Sequence, residues 1–188
     1  MTNQAATATD AQLTARAAGG DRIAFQLLYQ RHWKAVYSYA WLLTRSIPDA
    51  EDVTQECFLA LMRKPPSCDP ARAQLRTWLI AVVRRQHLGR CRDSGRESGS
   101  AELDRIQIAA GLDEGLIRAE RAAAVRHALA ALPAAQQEAL YLFEFEGLSL
   151  ADVAGILEIE TNAVKARLYR GREQLKQLLK PLQTREIL

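Results

Sequence analysis

Aromatic residues make up only 6% of this sequence, and no stretch sustains the Val/Ile/Thr alternation that marks a strand. With Ala and Leu abundant, that absence predicts an all-α chain. The longest apolar runs, such as "WLIAVV" at 78–83, fall far short of the ~20 residues that cross a bilayer. The N-terminal "MTNQAATATDAQ" lacks the basic flank and apolar stretch of a signal peptide. No membrane insertion is expected, and the expected location is the cytoplasm. Cys57, Cys68 and Cys91 form no CxxC pair, which argues against a disulfide framework or a four-ligand zinc site and leaves free thiols. His32, His87 and His127 are scattered, so no metal or cofactor is expected. Neither a nucleotide-hydrolysis motif nor a nucleophile with its base is present, and Glu51, Asp52 and Glu56 read as surface rather than as acid and base. The sequence is therefore not read as an enzyme.

What is present is unevenly placed charge. The 188 residues carry a net +3, but residues 1–92 hold 13 cations against 7 acids, while 93–123 hold 4 against 7. Beyond them, 124–160 is acidic, with 1 cation against 6 acids, and 161–188 is basic, with 7 against 2. Cations gather at the end of each half, a footprint for polyanion binding.

The stretch "RDSGRESGSAELD" at 92–104 has almost nothing apolar to bury and reads as a linker. It divides the chain into four segments: a disordered tail over 1–19, a small helical bundle over 20–92, an acidic flexible linker over 93–121 and a four-helix domain over 122–182. In the first bundle, Phe25, Leu28, Tyr29, Val36, Tyr37, Ala40, Trp41 and Leu43 recur with the spacing of amphipathic helices. Val53, Cys57, Ala60 and Leu61 mark another helix, stopped by Pro65 and Pro66. "CDPARAQ" reads as a loop, and a further helix over 75–92 turns Leu75, Leu79, Val82 and Val83 inward. In the second half, one helix is closed by Pro133 and the next, "AAQQEALYLFEFE", by Gly147.

"SLADVAGILEIETNAVKARLYRGR" at 149–172 then encodes two more. Ser149 caps a helix with Asp152 three residues on, a variant of the capping box, and Leu150, Val153, Ala154 and Leu157 form its apolar face. "EIE" makes a tight corner, where Glu158 stands at the position such a corner commonly gives to Gly, at a cost of about 1 kcal/mol. Thr161 offers a second cap, and Val164, Leu168, Gly171 and Leu175 line the inner side of the next helix. Lys165, Tyr169, Arg172, Lys176 and Lys180 form an outer stripe with Arg167 and Arg170 beside it. This is a helix-turn-helix whose exposed, cationic second helix fits a major groove.

Taken in order, these segments resemble the extracytoplasmic-function sigma factors of bacterial RNA polymerase. "GDRIAFQLLYQRH", "DAEDVTQECFLAL" and "CDPARAQLRTWLIAVVRR" are similar to parts of the family's second conserved region. "ALAALPAAQQEALYLFEFEGLSLADVAGILEIETNAVKARLYRGREQL" is similar to its fourth. The resemblance implies core polymerase, through its β and β′ subunits, and promoter DNA as partners, with an anti-sigma factor as regulator. It implies a −35 surface at Thr161, Asn162, Lys165, Ala166, Arg167, Tyr169 and Arg170. For the −10 element it implies Arg76, Arg84, Arg85 and Arg92, with base capture in the "PPSCDPARAQ" loop. Glu51, Asp52, Gln55 and Leu59, otherwise a plain solvated face, would by the same resemblance grip the clamp coiled coil of β′. Arg85 and Gly89 depart from the family's usual Asn and Asp, and the capture loop has no aromatic side chain. The acidic 93–123 segment is either a solvated tether or, by the resemblance, a strand in the RNA channel. A stand-alone helix-turn-helix regulator with an N-terminal partner or ligand domain is the competing reading, and an interaction protein that occupies polymerase without supporting initiation is a third.

Overall fold

The computed structural model describes residues 8–63, 75–94, 125 and 127–183. All the regular structure among them is helical, as the composition predicts. The chain divides into two compact units, Met1–Ala101 and Glu102–Leu188.

The first unit holds α1 (Asp10–Ala18), α2 (Arg22–Thr44), α3 (Ile47–Arg63) and α4 (Leu75–Ser94). The long α2 is the spine, because its row Ala24, Leu28, His32, Val36, Ala40 is buried throughout and the other three helices pack against it. From α3, Val53, Cys57, Phe58 and Leu61 close the core, and from α4, Leu75, Leu79, Ile80, Val82 and Val83. Asp21 starts α2 by accepting from the N–H groups of Ile23 at 2.9 Å and Ala24 at 3.1 Å. Those bonds, the one from Ala24 first, with Arg16 beside them, hold its carboxyl below the usual range. Arg45 ends α2 in the left-handed region at φ 54°, which lets the chain reverse at once into α3.

The expected N-terminal tail is corrected here, because residues 10–18 form α1. Thr9 and Gln12 exchange a capping box, and Leu13, Thr14 and Ala17 are buried. The helix is too short and too Ala-rich to stand alone. Its anchor comes from elsewhere in the chain: Asp10 takes Arg31 at 2.5 Å and His32 Nε2 at 2.8 Å. An ionised carboxylate only accepts, so the imidazole N–H donates. Burial lowers the pKa of His32 despite the pull of Asp10.

The second unit holds a helical turn at 127–130, α5 (Ala134–Leu140), α6 (Leu150–Leu157) and α7 (Thr161–Gln183). Leu140, Leu142, Leu148, Val153, Ile156, Leu157, Val164 and Leu168 form its core. One feature departs from the expected continuous helix before Gly147. Beyond Leu140 the backbone widens into a π-turn over Tyr141–Phe145, closed by Glu146 N–H to the Tyr141 carbonyl at 3.1 Å. Gly147 then takes φ 66° and ends the segment.

Candidate nucleic-acid interface

In the second unit the helix-turn-helix is built from local rules. Ser149 Oγ accepts from Asp152 N–H at 3.1 Å while the Asp152 carboxylate accepts from Ser149 N–H at 3.3 Å, so the capping box is complete. Val153, Ala154, Ile156 and Leu157 are buried, and Leu150 is half-buried. Glu158 makes the corner at φ 56°, ψ 44°, the left-handed conformation expected of that position. The second cap falls one residue earlier than expected. Thr161 is already in α7, and the Glu160 carbonyl takes the first bonds, from Ala163 at 2.9 Å and Val164 at 3.1 Å.

The packing of α7 follows from one narrow stripe. Val164, Leu168 and Gly171 are buried and Leu175 is half-buried. A Cβ on Gly171 would lie 2.7 Å from Leu140 Cδ1, so any larger residue at this crossing of α7 over α5 requires the Leu140 side chain to shift. That fixes the rotation of α7. Asn162, Lys165, Ala166, Tyr169 and Arg170 are exposed, with Thr161 and Arg167 half-exposed. Tyr169 is 69% exposed, far more than a ring with a packing duty would be. Arg172 leaves the outer stripe: its guanidinium binds Glu144 at 2.9 and 2.5 Å and lies 5.6 Å from the Phe143 ring centroid.

In the first unit the arginines of α4 are not gathered on one surface. At about 100° per residue, Arg85 and Arg92 lie within about 20° of each other, Arg84 about 100° away, and Arg76 on the opposite side. Arg85 and Arg92 are exposed, whereas Arg76 and Arg84 are half-buried and engaged. Arg76 faces α2 closely enough for its charge to weigh on His32. Arg90 turns to α3, 2.8 Å from Glu56 and 3.9 Å from Asp52. Arg85 and Arg92 are thus the two of the four expected −10 residues that share an outward face. The "PPSCDPARAQ" loop lies outside the described residues, as does nearly all of the 93–121 segment.

The opposite face of α3 is open. Glu51, Asp52, Gln55 and Leu59 are all exposed, and Met62 joins them. Beside this face lies a feature the sequence pattern was not expected to hold. Phe25, Tyr29, Trp33, Tyr37 and Trp41 succeed one another at every fourth position of α2, one step round from its buried row. Tyr29 packs on Phe58 of α3 with ring centroids 4.7 Å apart. Trp33 stacks on Tyr37 at 5.1 Å and 12°, and Arg45 closes the row over Trp41 at 5.2 Å. The spacing alone could have revealed it.

Cys57 is buried, its pKa pushed up to about 12 by desolvation, and its Sγ lies 3.4 Å from the Leu79 carbonyl. Cys91 Sγ lies 3.5 Å from His87 Nε2, and Cys68 lies outside the described residues. No group of three or more metal-ligating side chains occurs among the described residues. Among them, too, no helix is long and apolar enough to cross a membrane.

Set against known proteins, residues 28–97 match the Sigma-70 region 2 family and residues 122–175 the Sigma-70 region 4 family. The "ECF RNA polymerase sigma factor SigM" of Mycobacterium tuberculosis H37Rv is 33% identical over 94% of this chain and 87% of its own. Among solved structures, CnrH in complex with the cytosolic domain of CnrY superposes with a TM-score of 0.61 at 28% identity, over 92% of this chain and 97% of that one. The sigma factor RpoE of Bartonella quintana, in complex with the anti-sigma factor NepR, gives 0.61 at 25%, over 83% and 96%.

Proposed function

This chain belongs to the extracytoplasmic-function RNA polymerase sigma factors, which direct transcription initiation, and we propose how its surfaces divide that work. The α3 face of Glu51, Asp52, Gln55 and Leu59 docks to core polymerase. The outward face of α7, from Thr161 to Arg170, reads the −35 element in the major groove, with Asn162, Lys165, Tyr169 and Arg170 reaching base edges and phosphates. Arg85 and Arg92 on α4 contact the backbone near the −10 element, and melting draws on binding energy rather than on hydrolysis. Catalysis belongs to the polymerase, and the complex works in the cytoplasm. An anti-sigma protein is the regulator, a reading supported by the sigma factor RpoE solved with the anti-sigma factor NepR.

The observation that carries this reading is the orientation of α7. A capped helix, a left-handed corner and a close glycine crossing hold one stripe inward and leave Asn162, Lys165, Tyr169 and Arg170 facing out, which supports their assignment to duplex DNA. Run-off transcription with purified core polymerase tests it. The chain is expected to support transcripts from a cognate promoter and to bind duplex weakly when free. Tight duplex binding without core would favour a stand-alone regulator. Core binding with no transcript would leave only an interaction protein.

A further inference from the structure

The aromatic row of α2 touches α3 through Phe25 and Tyr29 on Phe58, and Glu51, seven residues before Phe58, lies on nearly the same side of α3. The two helices run antiparallel about the Arg45–Ser46 corner, in register at the Tyr29–Phe58 contact. Tyr37 lies two turns onward along α2 and Glu51 two turns back along α3, so at about 1.5 Å per residue both stand about 11 Å from that contact on the same side. Trp33 lies between, 39% exposed, its ring flat against Tyr37. Glu51 is exposed and has no ion-pair partner among the described residues. On the far edge of α3, by contrast, Asp52 and Glu56 are already drawn to Arg90. The uncompensated negative charge of this face therefore sits beside its aromatic edge.

We propose that Trp33, Tyr37 and Glu51 form a slot for one Lys or Arg side chain of a basic amphipathic helix of the polymerase, extending the docking face from α3 onto α2. The proposal rests on the reading of α3 as the docking helix. The chemistry of the occupant is set by the surface. The negative face of an aromatic ring attracts a cation, and a carboxylate at the ring's edge neutralises it. Leu59 and Met62, both 42% exposed, meet an apolar ridge on the same partner helix. An unpaired nucleobase would also stack on Trp33, but Glu51 beside it repels the phosphates that accompany a base.

The test uses the full chain and purified core polymerase, with affinity titrated at low and physiological salt and each variant's melting curve compared with the parent. Glu51→Gln and Trp33→Leu are each expected to weaken core binding about fivefold to tenfold. The double variant should lose less than the product of the two, and Trp33→Phe should keep most of the affinity. Glu51 is solvent-facing, so Glu51→Gln reports on the slot even if Trp33→Leu loosens the bundle. Asp52→Ala with Gln55→Ala tests the underlying docking reading separately. If that pair weakens binding while Glu51→Gln and Trp33→Leu do not, the slot is wrong and the α3 face stands. If none of them does, both fall. Loss with Trp33→Leu but not with Glu51→Gln means a plain apolar contact and overturns the slot. Unchanged core affinity with weaker capture of a single-stranded promoter strand by the Trp33→Leu holoenzyme would make the stack a base platform instead.

Discussion

On α4 two of the arginines turn back toward protein, and on α7 most of the cations turn away from it. Arg76 is close enough to α2 for its charge to weigh on His32 and Arg90 reaches α3, while Arg85 and Arg92 face outward. On α7, Lys165, Arg170, Lys176 and Lys180 are exposed, and Arg172 is tied down, by Glu144. The cause is how much of each helix its neighbours cover. Leu75, Leu79, Ile80, Val82, Val83 and His87 of α4 are all buried, so much of its circumference meets protein. Among the described side chains of α7, only Val164, Leu168 and Gly171 are buried. Cation density in a sequence therefore says little about a binding surface until the buried stripe is known. Density with a narrow stripe is an interface, and density with a broad one is partly scaffold.

The largest test of this contrast removes charge from α7. Lys165→Ala with Arg170→Ala should weaken −35-dependent promoter binding by the holoenzyme about tenfold to a hundredfold and lower the salt slope by about 2. Core affinity should be unchanged, and titration at several salt concentrations measures both. Next comes the crossing that sets the rotation of α7. Gly171→Val should destabilise the second unit by about 2 kcal/mol through overpacking against Leu140, seen as an earlier transition in denaturant while the first unit's transition stays put. Relieving the corner acts the other way: Glu158→Gly should stabilise the same unit by about 1 kcal/mol, with a later transition. The smallest effect is expected on α4. Arg90→Ala breaks pairs whose side chains are 35% to 67% exposed, so it should cost well under 1 kcal/mol and leave the salt slope of promoter binding as it was. A slope change as large as that of the α7 pair would erase the distinction between the two helices.

What could be read from the sequence was mostly what is local. The capping box at Ser149 and Asp152, the Glu158 corner and the inward stripe of α7 each depend on residues a few positions apart, and the fold keeps them. The outward cations and Tyr169 follow from that stripe by helical geometry. α1 announces itself in the sequence only through the short Thr9–Gln12 capping box, and its docking depends on Arg31 and His32 from α2. The π-turn at Tyr141–Phe145 has no signature in side-chain preference. Two features were legible but overlooked. The phase difference between Arg76 and Arg85 follows from about 100° per residue, and the aromatic row of α2 repeats every fourth residue in plain view.

The docking of α1 has a practical side for anyone preparing this protein. A shortened version starting near Gly20 would strip the cover from the groove that Leu13 and Ala17 fill and leave the imidazole of His32 without its acceptor. Such a preparation should be stickier and more prone to precipitate than the full chain. Affinity tags are better added ahead of Thr9 than substituted for any part of the helix it caps.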